Sequence, residues 1–382
     1  MKKVLLILSL LVFTLGASAQ VIYEEFSSTI LNEKRKLKIQ LPRGYKTDTE
    51  KVYPIIIVFD ADYMFEPVAG NVDYFSYWQD MPESIVVGIM QSETRQLDGR
   101  YDDANFFPSE EGANFFEFVG LELMPYIDTT FRTAKFTIAI GHELTANFIN
   151  YYLFKEPQLF SGYISFSPEL APKIGVRITD RVSAIKNKIF YYLATGTDDM
   201  AKLSESTKNL NSLLSNVENE KFNYYFDNFD GATHYSIVAR GIPNALEKIF
   251  TVYQPISKKE YSEVLLKLDT PIEDYVLDKY KTIKDLFGLE RNIRVNDFLA
   301  AASAAEKLEN WDSLKAIANL AQKQYPNSML GEYYMARYYE EVGKPKRAMK
   351  TYEGAYQKEE VAFITVDMMI DKANKIKDDF GY

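Results

Sequence analysis

Between residues 21 and 253, short apolar runs alternate with stretches of helical length and polar-apolar periodicity. Residues 36–41 alternate polar and apolar, as an antiparallel hairpin at a sheet edge does. Residues 53–59 are continuously apolar apart from Pro54 and end at Asp60, which predicts a parallel strand buried on both faces. Comparable runs at 84–90, 136–140, 162–166, 189–194 and 222–226 predict further strands, with helices over 113–126, 144–154 and 200–215. Strands alternating with helices imply an α/β fold, a mostly parallel sheet covered on both faces. Ligands of such sheets sit at the carboxyl ends of the strands, so candidate chemistry is sought there.

The pattern changes at Gln254-Pro255-Ile256-Ser257, and from 255 to 382 only helical periodicity remains. Ala336, Tyr339, Gly343, Ala348, Tyr352 and Ala355 have the spacing of a tetratricopeptide unit, two helices crossing at small residues. A weaker copy lies 34 residues earlier at Ala302, Ala305, Glu309, Leu314, Ala318 and Ala321. An ordinary helical bundle is the alternative. The expected division is therefore a signal peptide over 1–19, an α/β domain over 20–254 and a helical tetratricopeptide-like domain over 255–382. So short a helical array is expected to pack on the first domain or on a partner chain.

The first nineteen residues change the picture of compartment. Lys2 and Lys3 precede an apolar stretch over 4–15, and Gly16-Ala17-Ser18-Ala19 supplies the small residues of a cleavage site. Export to a bacterial periplasm or beyond is expected, with Gln20 as the mature N-terminus and no integral membrane segment after cleavage. The chain has no cysteine, which excludes disulfides and thiolate nucleophiles. Cleavage removes Lys2 and Lys3 and no acid, taking the formal charge from −10 to −12. That balance disfavours nucleic acid, whose binding relies on Lys and Arg at phosphates. With two histidines and acidic clusters lacking ligand spacing, no metal site and no cofactor are expected.

The sharpest chemical signal is Gly141-His142-Glu143-Leu144-Thr145-Ala146, at the end of an apolar strand and the start of a helix. This is the setting of the G-x-S-x-G nucleophile elbow, with glutamate where the serine belongs. Here the chain resembles the esterase group of the α/β-hydrolases, which includes enterochelin-esterase-like and S-formylglutathione-hydrolase-like enzymes and reads G-H-S-L-G-G at this point. Val58-Phe59-Asp60-Ala61-Asp62, the stretch from Met81 through Ser84 to Ile89, Glu122-Leu123-Met124-Pro125 and Tyr163-Ile164-Ser165-Phe166-Ser167-Pro168 also match that group. The resemblance spans roughly residues 25 to 253, and members often carry tetratricopeptide-like C-termini.

The resemblance implies a site. His234 would be the histidine, and the acid would be Asp198 or Asp199, with Asp198 slightly favoured. The oxyanion hole would join the Leu144 amide to one from Ala61, Asp62 or Tyr63, where Ala61 replaces the usual glycine. Arg95 matches an arginine near the substrate mouth. Glu143 offers no proton for histidine to take, so serine acyl transfer is impossible there. Its carboxylate is expected to reach toward the oxyanion hole and pair with His234. Three readings follow: a non-hydrolytic relative that binds a small or ester-like ligand in the cleft, or a protein partner through the helical region; an active hydrolase using Glu143 as nucleophile or base with His234; or an esterase working through another hydroxyl such as Ser167 or Ser236.

Overall fold

The computed structural model describes residues 20–382, so the expected signal peptide lies outside the described residues. The chain divides into two compact units. The first runs to Tyr253 and includes Leu286–Leu289; the second comprises Gln254–Asp285 and Glu290–Tyr382.

The first unit is built on an eight-stranded sheet of order β1-β2-β4-β3-β5-β6-β7-β8. Its strands are β1 (Gln20–Ser28), β2 (Glu33–Leu41), β3 (Tyr53–Val58), β4 (Ile85–Ile89), β5 (Thr133–His142), β6 (Gly162–Phe166), β7 (Ile189–Asp198) and β8 (Phe222–Thr233). Strands β1 and β2 form an antiparallel hairpin, β2 runs antiparallel to β4, and every other pairing is parallel. The continuous apolar runs are those buried on both faces: every residue of β3, β4 and β6 is buried. Each fully buried Ile or Val there contributes about 1.5–3 kcal/mol relative to exposure, which pins the central strands.

The sheet register lines up the strand ends. Val58 pairs with Ile140, His142 with Phe166, Phe166 with Ala194, and Asp198 with Thr233. Consequently Asp60, Glu143, Ser167, Asp199 and His234 follow the carboxyl ends of β3, β5, β6, β7 and β8, five consecutive neighbours in the sheet. Three of them hold positive φ without being glycine: Asp60 at 54°, Glu143 at 56° and Ser167 at 45°. Such backbone costs about 1–3 kcal/mol per residue and persists where the surroundings impose it.

Helices follow these ends, α1 (Ala61–Tyr77) after β3 and α2 (Leu144–Phe148) after β5. Later in the unit, α3 (Ala201–Leu214) follows β7 and α4 (Ser236–Ile249) follows β8.

The second unit is helical, with its own core. It includes α5 (Val295–Lys307), α6 (Trp311–Gln324), α7 (Leu330–Glu341), α8 (Pro345–Gly354) and α9 (Val366–Phe380). Ala302, Ala305, Leu314, Ala318 and Ala321 are buried, as are Ala336, Ala348, Tyr352 and Ala355. The turn between α5 and α6 is left-handed at Glu309, and that between α7 and α8 at Gly343, with φ of 53° and 69°. The two helix pairs therefore share both their small buried residues and their turn conformation. Among the described residues no helix is long and apolar enough to cross a membrane.

Candidate active site

Glu143 occupies a strained elbow. Its φ and ψ are 56° and −112°, its amide donates to Phe166 O at 3.0 Å, and its carbonyl accepts from the Asn147 and Glu169 amides. Gly141 makes the turn possible, since a Cβ there would lie 2.6 Å from the Thr145 carbonyl carbon and oxygen. That position tolerates no side chain without displacing backbone.

Thr145, where the resembling family has glycine, is fully used. Its hydroxyl donates to Asp60 Oδ2 at 2.7 Å and accepts from the His142 amide at 3.0 Å. Asp60 is in turn buried and takes a bidentate bond from Arg95, Nε to Oδ1 at 2.7 Å and Nη2 to Oδ2 at 3.1 Å. The same Nη2 lies 3.1 Å from His142 O and 3.1 Å from Glu143 Oε2. Arg95 thus sits between the ends of β3 and β5, tied to both. Burial is the largest single effect on Arg95 and works against its charge, but the Asp60 bond and charge together with Tyr63 and Glu143 outweigh it and raise the guanidinium pKa.

This geometry corrects the expected Glu143–His234 ion pair. Among the described residues, the ion pair of Glu143 is with Arg95. The reason is placement: Arg95 is already fixed by Asp60 directly beneath the elbow, and it is a permanent cation.

The histidine expected from sequence is in place with an acid beside it. His234 is buried, and its Nδ1 lies 2.8 Å from Asp199 Oδ1. Asp199 also accepts from the Met200 amide at 2.8 Å, from Ser167 Oγ at 2.6 Å and from Thr195 Oγ1 at 2.8 Å. Burial alone would raise this carboxyl, but the bonds from His234, Ser167, Thr195 and the Met200 amide prevail and lower its pKa to about 2. The preference for Asp198 is therefore overturned. Side chains alternate along a strand, and the β7–β8 register shifts between Gly196 and Asp198. Asp198 ends exposed, while the next residue turns inward to His234.

His142 stands behind this pair, its ring 4.5 Å from that of His234. Its Nε2 faces the His234 carbonyl at 3.2 Å, and its Nδ1 faces the Tyr63 hydroxyl at 2.9 Å. A carbonyl only accepts, so Nε2 carries the proton and Nδ1 accepts from Tyr63. Burial, together with the neighbouring His234, lowers the His142 pKa to about 4. Burial and the charge of Asp60 raise that of Tyr63.

Both shifts fix how stability depends on pH. His142 and Asp199 have folded pKa values below their unfolded ones of about 6.5 and 3.8. Each therefore contributes stability that is fully present above the unfolded value and lost as pH falls through the folded one. We expect about 2–3 kcal/mol to be lost between pH 7 and pH 4 from His142, with the Asp199 contribution going below that. Urea unfolding at stepped pH checks this; a His142→Gln protein should be flatter over pH 7 to 4, and equal slopes would refute the assignment.

The remaining expected residues lie as follows. Leu144 is the first residue of α2, and Ala61, Asp62 and Tyr63 form the first turn of α1 rather than a loop. The Tyr63 amide is used, donating to Asp60 O at 3.2 Å, whereas the first-turn amides of Leu144, Ala61 and Asp62 have no intrahelical acceptor, which is what an oxyanion hole requires. The Asp62 carboxylate accepts from the Gln91 and Ser92 amides and so anchors the segment leading to Arg95. Ser167 gives its proton to Asp199 and is fully buried. Ser236 is engaged with Thr233 at the start of α4. Neither serine is presented as a nucleophile. Among the described residues no group of His, Asp and Glu is arranged to hold a metal ion.

Sequence reading missed Asp60, Gln91 and Thr145 as parts of the site. Asp60 was visible as the acid closing an apolar strand, but its partner lies 35 residues away. Gln91 accepts from the Asp60 amide and donates to buried Asp98, which Arg35 holds through a bidentate pair.

The site belongs to a recognisable lineage. A profile of the family described as "Putative esterase" matches residues 28–237. The crystal structure of an uncharacterised protein from Capnocytophaga ochracea shares 31% identity, with 94% of this chain and 100% of that one aligned at a TM-score of 0.83. An IroE-like serine hydrolase from Shewanella oneidensis aligns over 80% of this chain and 99% of its own, with 18% identity and a TM-score of 0.58. The siderophore hydrolase EstA from Aspergillus nidulans aligns over 63% and 97%, with 12% identity and a TM-score of 0.51. Curated proteins yield no match. With its mostly parallel sheet, its elbow and this match over more than half its length, the chain belongs to the Putative esterase family of α/β-hydrolase folds.

Proposed function

We propose that this protein is an exported member of the esterase family that does not carry out serine acyl transfer and instead binds a small ligand at the former catalytic mouth. The observation that carries this reading is Glu143 itself: an anionic side chain on the strained elbow, ion-paired to Arg95 at 3.1 Å. Acyl transfer needs a nucleophile that hands a proton to histidine and a pocket that welcomes a developing oxyanion. Glutamate supplies no such proton, and its charge opposes an oxyanion nearby. The helical unit, with its paired small-residue crossings, suits a tetratricopeptide-like role in docking a protein partner.

A second reading rests on a specific feature, the intact hydrogen bond between His234 and Asp199. In it Glu143 acts as a carboxylate nucleophile or general base, and His234 activates water. The Arg95 pair weakens that reading, because a cation bound to a carboxylate stabilises its charge and lowers its nucleophilicity.

The experiment is a hydrolysis assay with p-nitrophenyl acetate, run with a His234→Ala control. We expect no turnover above that control. Clear turnover that disappears with His234 would reject the non-hydrolytic reading in favour of the carboxylate mechanism.

A further inference from the structure

The exposed side chains at the mouth offer an acceptor and aromatic faces. Arg95 Nη2 carries two hydrogens but faces three acceptors at 3.1 Å: Asp60 Oδ2, His142 O and Glu143 Oε2. Glu143 therefore receives only a share of that nitrogen, and its Oε1 has no hydrogen-bond partner among the described residues. Its side chain remains 29% exposed. His234 Nδ1 faces the Asp199 carboxylate at 2.8 Å, and its Nε2 has no hydrogen-bond partner among the described residues. Around them Tyr63 is 43% exposed and Tyr235 75% exposed. Tyr63 packs against His142 at 5.9 Å and Tyr235 against His234 at 5.2 Å, so the two rings flank the paired histidines. Arg95 carries the one permanent positive charge in these contacts, against the carboxylates of Asp60, Glu143 and Asp199.

A surface that offers a carboxylate oxygen, an imidazole edge and two aromatic faces is complementary to a cation. We infer that the ligand of this site presents a primary ammonium group, held by the Glu143 carboxylate and His234 Nε2 and flanked by the rings of Tyr63 and Tyr235. The three N–H donors of an ammonium match the open acceptors, and an aromatic face attracts a cation within about 6 Å. This rests on the non-hydrolytic reading of the same site. The shared chemistry fits two sources, a free alkylamine or a lysine side chain of a peptide.

The chain has two histidines, so selective imidazole labelling gives direct reporters at the site. The test titrates the full chain with n-hexylammonium, hexanoate and ethyl hexanoate while following the His234 resonances by NMR. The expected result is a saturable shift with hexylammonium and none at equal concentration with the other two. Glu143→Gln should weaken the ammonium affinity about tenfold, the scale of losing one charge-assisted bond. Tyr235→Ala, at an exposed position, should weaken it about threefold. A lysine tripeptide with blocked termini that binds more tightly than hexylammonium supports the peptide source, and the reverse supports a free amine. Equal or tighter binding of hexanoate or the ester, no response to hexylammonium, or an unchanged affinity in Glu143→Gln would overturn the inference. Hexanoate released from the ester in a His234-dependent way would overturn the non-hydrolytic reading alone, since the ammonium titration is read independently.

Discussion

Replacing Glu143 by serine is expected to create a measurable esterase, with kcat/KM for p-nitrophenyl acetate about a thousandfold above the parent protein. The physical case is the geometry present around the elbow. The backbone at 143 holds φ 56° and ψ −112°, the tight geometry that pushes a short side chain out at the end of β5. His234 is oriented by Asp199 at 2.8 Å, so its Nε2 can take the serine proton. The first-turn amides of Leu144 and Ala61 follow the ends of the adjacent strands β5 and β3. Thr145 need not revert to glycine, because its hydroxyl ties Asp60 to the elbow. Removing that tie would take a donor from a buried carboxylate, at a cost of about 1–3 kcal/mol. A folded Glu143→Ser protein with no His234-dependent activity would mean that the inherited geometry is no longer productive.

The strain at the elbow bears on why that outcome is expected. Positive φ at Glu143, Asp60 and Ser167 is a local cost that nothing in a stable fold requires at three adjacent strand ends. Arg95, Thr145 and the Asp199 cluster supply the bonds that hold these conformations. The energetic support of the elbow lies in side chains behind the mouth.

Much of this arrangement is legible along the chain, for identifiable reasons. Strands buried on both faces must be continuously apolar, so β3, β4 and β6 stand out. The elbow announces itself because only glycine fits at 141. His234 is legible because one other histidine exists, and His142 is occupied by its place beside the elbow. Strand β1 was not expected. It lies at the sheet edge with exposed and half-buried residues alternating, but Val21 and Tyr23 fall on the exposed face and Glu24 on the half-buried one, which masks the pattern. The Asp60–Arg95 and Thr145–Asp60 bonds join residues 35 and 85 positions apart, a distance that local periodicity does not encode. In the helical unit, Gly343 reveals its left-handed turn, whereas Glu309 hides the equivalent turn behind a residue that rarely adopts it. The choice between Asp198 and Asp199 was beyond sequence because one register shift between Gly196 and Asp198 sets which of the two faces inward.

That last point carries the second large prediction. In a Glu143→Ser background, Asp199→Ala is expected to remove the gained activity, a loss of about a thousandfold, while Asp198→Ala leaves it intact. Without Asp199 the His234 ring loses its Nδ1 partner, and no other side chain among the described residues bonds Nδ1 to hold the ring's tautomer. The same substitution should lower stability by about 3 kcal/mol. Ser167 and Thr195 are fully buried, both donate to Asp199 Oδ2, and a buried donor left without an acceptor costs about 1–3 kcal/mol. Asp198 is exposed, so its truncation should change stability by less than about 0.5 kcal/mol. Urea unfolding and the esterase assay on the two variants give the comparison. If Asp198→Ala abolishes the activity and Asp199→Ala spares it, the assignment of the acid is wrong. If both spare it, His234 is oriented by some other contact and the inherited triad is not what the restored enzyme uses.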